Sequence, residues 1–450
     1  MHNNTRHHNI SRMDWSPAHA RLTIPLALLL PLFVLIFPTL TARPAQGQTF
    51  TVIYSLTYPS DGWSPTNVAM DRAGNLYGAT AEGGYTGGHC QRYFGCGTAF
   101  KLSRQGPNWT FRTIHDFSGD VEGASPGPVV VGPNGVVYGR TEYGGTECAP
   151  YGCGTVFGVR PAPYAGSTVL NPWIDDVLYS FQGGSDGWGS LNTTAFTFDH
   201  DGNIYATTES GGTYGYGSVY KLTFSGGSWA KTVLYSFNGS DGSSPYGGVI
   251  FDAAGNLYGT TFGGGSYDSG AVFELSPSGG NWTEKVLHSF AIGSDGWWPT
   301  AGLTLDPAGN LFGATLNGGT GGGGVVFELS RSDNQWTYSI IYDLSSTGLY
   351  AGPRAALAID AAGNLYGSTT TPGCMAMGCR QKADAGGGHG TVFKLSPGRN
   401  GWTYTLLHDF SGGSDGLDPY YGVIVDPNGI VYGAARPGTG NAGVIFMIGP

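Results

Sequence analysis

The chain repeats itself. A ten-residue phrase, clearest as Asp252-Ala-Ala-Gly-Asn-Leu-Tyr-Gly-Thr-Thr261, returns with its aromatic at Tyr77, Tyr138, Tyr205, Tyr258, Phe312, Tyr366 and Tyr432. The gaps are 61, 67, 53, 54, 54 and 66 residues, so the basic period is near 54, and the three long gaps hold the cysteines. Seven copies fill residues 49–450. A period of this length marks units that cannot bury their apolar faces alone and must cover one another.

Within a copy the pattern is β. In the fourth, residues 249–252, 256–261, 270–275 and 282–290 are short runs rich in β-branched and aromatic residues. Ala-Ala-Gly and Ser-Pro-Ser-Gly-Gly separate the hairpin pairs. Each unit is therefore expected to be a four-stranded antiparallel meander, and seven packed radially make a seven-bladed β-propeller, an all-β fold. Composition agrees, with 79 glycines, 13% aromatic residues and only 12% charged. That excludes a coiled coil, a collagen or a disordered chain.

The ends of the chain predict how the ring closes. Residues 49–56 read as a fourth strand that precedes the first copy, while the last copy stops after its third. Pairing the spare strand with the last blade would close the ring and cover both open edges.

Asn-Leu-Tyr-Gly-Thr-Thr, then Gly-Gly, then Gly-Thr-Val-Phe-Lys-Leu as at residues 390–395, resembles the GloVer tandem repeat of exported bacterial proteins across residues 49–450. The resemblance implies export and repeat architecture. It brings no established chemistry and no catalytic residues. Some relatives carry a C-terminal sorting segment. This chain ends at Ile448-Gly-Pro450 without one, so the anchoring role of those relatives is not carried over to it.

Residues 1–47 read as a signal peptide: Arg6, Arg12 and Arg21, an apolar run over 24–37, and Ala45-Gln46-Gly47 as a cleavage pattern. The mature domain would be 48–450, with 17 basic and 30 acidic residues and a net charge of −13. Such a surface repels nucleic acid and anionic lipid. After cleavage no run is long enough to cross a bilayer, and a monomer in the periplasm, on the cell surface or outside the cell is expected. Six cysteines fall into three local pairs, Cys90 with Cys96, Cys148 with Cys153, and Cys374 with Cys379, which in an exported chain are read as disulfides.

Candidate binding residues lie on the connection from each fourth strand to the next first strand. It repeats Ser-Asp-Gly and places Asp61, Glu122, Asp186, Asp241, Asp295 and Asp415 in a ring, with Trp63, Trp188 and Trp297 nearby. The alternation of strands puts these connections on the same face as the cysteine loops. Carboxylates beside aromatic platforms suit sugars, and carboxylates with backbone carbonyls suit Ca²⁺; no other cofactor is expected. The opposing reading is that Asp-Gly makes a turn. Gly183-Gly-Ser185-Asp-Gly187 and Gly412-Gly-Ser414-Asp-Gly416 have nucleophile-elbow spacing, but they join two strands and belong to the repeated turn. The first strands, expected to line the channel, carry only Thr197 and Thr304 as polar residues.

The leading expectation is a binding or interaction module whose loop-rich face takes an extracellular protein, a glycan or a surface polymer. The alternatives are a secreted carbohydrate-active or lactonase-like propeller enzyme and a structural cell-surface or matrix component.

Overall fold

Each 54-residue unit folds into one antiparallel sheet, because four short runs joined by tight turns can pair only with their neighbours in sequence. The computed structural model describes residues 48–148, 150–162, 173–189, 196–333, 335–347, 352–370 and 388–449. Seven sheets follow one another as blades 1 to 7. Blade 4 shows the plan: Val249–Phe251, Leu257–Thr261, Ala271–Ser278 and Asn281–Ser289, numbered from the inner to the outer strand. Blade 2 departs from it by splitting its inner strand into Ala124–Pro126 and Val130–Val131. The third strand runs three residues past the expected Leu275, pairing Ser278 with Asn281. The turn is only Gly279-Gly280, both at positive φ, so Ser276-Pro277-Ser278 is strand and not punctuation.

Blade 7 is built from both ends of the chain. Val423–Val425, Val431–Ala435 and Val444–Gly449 supply three strands, and Thr49–Ser55 pairs antiparallel with Val444–Gly449 as the fourth. The ring closes as the sequence implies.

Aromatic residues join the blades. Four outer-strand tryptophans pack on the phrase aromatic of the preceding blade: Trp109 on Tyr432, Trp173 on Tyr77, Trp336 on Tyr258 and Trp402 on Phe312, with ring centroids 5.8–6.2 Å apart. The glycine after the phrase aromatic makes room within the sheet. A Cβ on Gly259 would lie 2.5 Å from Cζ of Phe273.

The aspartate of the phrase closes the first hairpin. Asp252 accepts from the backbone of Ala254 and Asn256, from Asn256 Nδ2 and from Tyr258 Oη, at 2.8–3.1 Å. Burial pulls its pKa upward, but these donors outweigh burial and hold the carboxyl below its usual value. Nearer the axis, polar side chains bridge neighbouring blades: Thr66 Oγ1 to Gly127 O, Asn67 Nδ2 to Val129 O, Thr260 Oγ1 to Ala301 O and Arg140 Nη1 to Thr207 O.

Disulfides join Cys90 to Cys96 and Cys148 to Cys153, with Cα atoms 5.0 and 5.4 Å apart. Such bonds fit a compartment outside the reducing cytosol. The pairing of Cys374 with Cys379, and the signal-peptide reading of 1–47, lie outside the described residues. No helix among the described residues is long and apolar enough to cross a membrane.

Candidate ligand-binding face

Connections from second to third strands and from outer to next inner strands share one face. Backbone bridges fasten them together, Ser243 to Gly263, Trp297 to Asn317 and Leu417 to Arg436. Both disulfides lie beneath this face. Cys90 Sγ is 3.0 Å from Ser118 O, and a Cβ on Gly183 would meet Cys148 Sγ at 2.8 Å. The cysteine loops thus brace the Asp-Gly connections.

The connection carboxylates form a ring by position, yet their oxygens accept from their own copies, with Asp186 accepting also from Lys231 of the next blade. Asp61 accepts from Tyr54 Oη and Thr57 N, at 2.9 and 3.0 Å. Asp186 accepts from Tyr179 Oη and Gln182 N, both at 2.8 Å, and Asp241 from Tyr235 Oη and Asn238 N, at 2.6 and 2.9 Å. Asp295 and Asp415 pair with His288 and His408 at 3.1 and 3.2 Å and accept from Ala291 N and Ser411 N. Glu122 accepts from Ser118 N at 3.2 Å. The short side chain of Asp folds back on the turn three or four residues upstream while the outer strand supplies a Tyr or His.

The same Tyr or His meets the next blade. Tyr54 stacks on Phe111, His288 on Tyr338, Tyr342 on Tyr404 and His408 on Phe50, with planes within 15°. Three consecutive seams carry charge at the matching position instead: Asp175 faces His115, Lys231 faces Tyr179, and Glu284 lies in the field of Tyr235 and Asp241.

Burial, reinforced by the Asp241 carboxylate, pushes Glu284 up to about 7, and its Oε1 is enclosed without a hydrogen-bond partner among the described residues. A carboxyl whose native pKa lies above its unfolded value favours folding fully at low pH and loses that contribution as pH rises through the native pKa. The protein should lose stability between about pH 4.5 and 7. Glu284→Gln should be more stable than wild type by ~1 kcal/mol at pH 8, after solvent screening, and equal to it at pH 4. Melting curves across pH check this, and a constant difference at both ends would assign the effect to packing.

Aromatic side chains stand out from the loop-rich face in blades 1 to 4: Tyr85, Phe94, Tyr151, Trp188, Tyr214, Tyr216 and Tyr267, all 48–70% exposed. Trp188 is the most exposed of the sequence-predicted tryptophans; Trp63 and Trp297 are half-buried. Between the cysteine loops of blades 1 and 2 runs a groove of about 670 Å³. Its walls include His89, Asp120, Tyr143, Glu147 and Tyr151. His89 Nδ1 and Asp120 Oδ1 meet there at 2.6 Å.

A second group of residues lies apart from the Ser-Asp-Gly carboxylates. Near the axis of the ring, Tyr246 Oη donates to Glu209, Arg354 Nη1 donates to Tyr420 Oη at 3.2 Å, and Arg436 Nη1 pairs with Asp418 at 3.4 Å. Tyr420 and Tyr421 pack at 4.9 Å, with the Arg354 guanidinium 5.0 Å from the Tyr420 ring. Burial first, then Glu209, raises Tyr246, which also feels Tyr420 and Arg354. Burial raises Glu142, opposed by a hydrogen bond from Tyr143 and reinforced by Glu209. Groups from blades 2, 3, 4, 6 and 7 can sense one another only near the axis of a seven-membered ring. They come from the ends of second strands and the segments before inner strands, which is why the apolar inner strands did not foretell them.

A model of the Gloeobacter/Verrucomicrobia repeat matches residues 192–446. The chain belongs to that family. No curated protein sequence matches it. Among solved structures, this repeat protein is similar to a candidate 6-phosphogluconolactonase from Bacteroides uniformis at 14% identity, covering 80% of this chain and 87% of that one with a TM-score of 0.46. A gluconolactonase from Xanthomonas campestris is 14% identical over 71% of this chain and 85% of its own, with a TM-score of 0.38. The extracellular domain of a candidate one-component system from B. thetaiotaomicron is 12% identical, with a TM-score of 0.50, covering 89% of this chain and 40% of that one. Identities this low concern the fold alone.

Proposed function

We propose that this repeat protein is an exported binding module that takes a glycan on its loop-rich face. The exposed aromatic side chains of blades 1 to 4 carry the reading. Seven large rings left to solvent on one face lose hydration cheaply against the flat apolar faces of sugar rings, while tyrosine hydroxyls can pair with sugar hydroxyls. The groove between the cysteine loops adds Asp120 and Glu147 as acceptors. Of the carboxylates first singled out, Asp61, Glu122, Asp186, Asp241, Asp295 and Asp415 support this face by fixing its turns, and Trp188 is the tryptophan placed to touch ligand.

Soluble polysaccharides should retard the protein in affinity gels and raise its melting midpoint by mass action. Trp188→Ala and the pair Tyr214→Ala, Tyr216→Ala should each weaken binding by about tenfold or more without changing the unliganded melting curve. Binding unaltered by both changes would remove the aromatic face from the mechanism. The enzyme reading has the axial carboxylates Glu142 and Glu209 in its favour, and assaying the same panel for released sugar separates the two.

A further inference from the structure

We propose that His115, Glu122 and Asp175 form a binding site for a divalent transition-metal ion of the Zn²⁺ kind in the seam between blades 1 and 2. One ligand atom from each lies within 4.8 Å of the other two. His115 Nε2 is 3.6 Å from Glu122 Oε2, and His115 Nδ1 is 3.7 Å from Asp175 Oδ1. Tetrahedral donors around zinc, at bonds near 2.0–2.1 Å, stand about 3.3 Å apart; one imidazole nitrogen binds the ion, so side-chain rotations must close the set from within 4.8 Å to that spacing. The histidine is 13% exposed, and its Nε2 is enclosed without a hydrogen-bond partner among the described residues. The carboxylates, 34% and 30% exposed, leave the solvent side open for water.

Comparison with the other seams gives an independent argument. His288 and His408, at the same place in their copies, each pair with the connection carboxylate and stack on an aromatic ring. His115 faces a second carboxylate where they face a ring. In the next seam the position of Asp175 is taken by Lys231, whose ammonium lies 2.8 Å from Asp186. The fold thus holds a cation at this point when the chain supplies one, and in the first seam the chain supplies two carboxylates and an imidazole. The nitrogen donor favours Zn²⁺, Co²⁺ or Ni²⁺ over Ca²⁺ and Mg²⁺, which prefer all-oxygen shells. This site stands or falls independently of the glycan reading.

The test is titration of the purified, metal-stripped protein with Co²⁺, followed by its visible absorption, and with Zn²⁺, followed by the melting midpoint. One equivalent of Co²⁺ should bind, Zn²⁺ should raise the midpoint, and Ca²⁺ should not. His115→Tyr restores the residue that four other copies carry here and so should fold. It should weaken Co²⁺ binding by about 100-fold or more, as should Asp175→Asn. Co²⁺ binding that persists unchanged in His115→Tyr, or a wild-type protein that binds no equivalent of either ion at millimolar concentration, overturns the site.

Discussion

Deleting Thr49–Ser55 should lower the stability of the protein by on the order of 5 kcal/mol and broaden its unfolding transition. The strand is the outer strand of blade 7, and it also touches both flanking blades. Phe50 stacks on His408 of blade 6 at 3.6 Å, and Tyr54 stacks on Phe111 of blade 1 at 4.3 Å. Half-buried Phe50, Val52, Ile53 and Tyr54 contribute about 1–2 kcal/mol each by area. Their loss also exposes Val444–Gly449 as an unpaired edge, so self-association should accompany the loss of stability. Calorimetry and size-exclusion chromatography read both effects. Phe50→Ala, which keeps the strand and removes one stack, should cost about 2–3 kcal/mol. An unchanged midpoint in the deletion would mean that the ring does not depend on its closure.

The architecture was legible because each repeated residue type has one physical task. Trp109, Trp336 and their counterparts meet the phrase aromatics of the preceding blade, so two columns of the repeat are the two halves of one contact. The Asp of the phrase and the glycine after the aromatic are explained within a single sheet, by turn amides and by the Phe ring of the third strand. Strand ends were less legible. Ser276-Pro277-Ser278 has the composition of a loop, but a two-residue glycine turn lets pairing continue through it.

The binding carboxylates were found for one reason and serve another. Recurrence exposed Ser-Asp-Gly, and what recurs in six of the seven copies is what a blade needs: a carboxylate that ties the turn to its own outer strand. The axial groups are the opposite case. Glu142, Glu209 and Arg436 occupy a column that reads Phe262, Leu316 and Thr370 elsewhere, and Tyr246, Arg354 and Tyr420 follow a proline that Thr66 and Thr300 follow in other copies. They do not repeat, and they are far apart in sequence until ring closure brings them to the axis. A charged residue in a column otherwise uncharged was the available signal.

Asp186→Ala should cost about 3 kcal/mol, against about 1 kcal/mol for Asp415→Ala, although both occupy the same place in the repeat. The difference lies in the neighbour. The Lys231 side chain is 3% exposed, lies within 6 Å of the Tyr179, Phe181 and Tyr220 rings, and donates to both the carboxylate and the carbonyl of Asp186. Burial lowers its pKa, while Asp186 pulls the other way and keeps the ammonium charged. Removing the carboxylate strands that charge among rings, whereas Asp415 loses only a histidine and turn donors that water can replace. Lys231→Met in the Asp186→Ala background should therefore recover most of the loss, and denaturant titration of the two single variants and the double variant measures the coupling. Equal costs at Asp186 and Asp415 would show that the ammonium finds another partner. Recovery would establish that Asp186 holds the seam between blades 2 and 3, which makes Trp188, two residues further on and turned to solvent, the cleaner probe of ligand on this face.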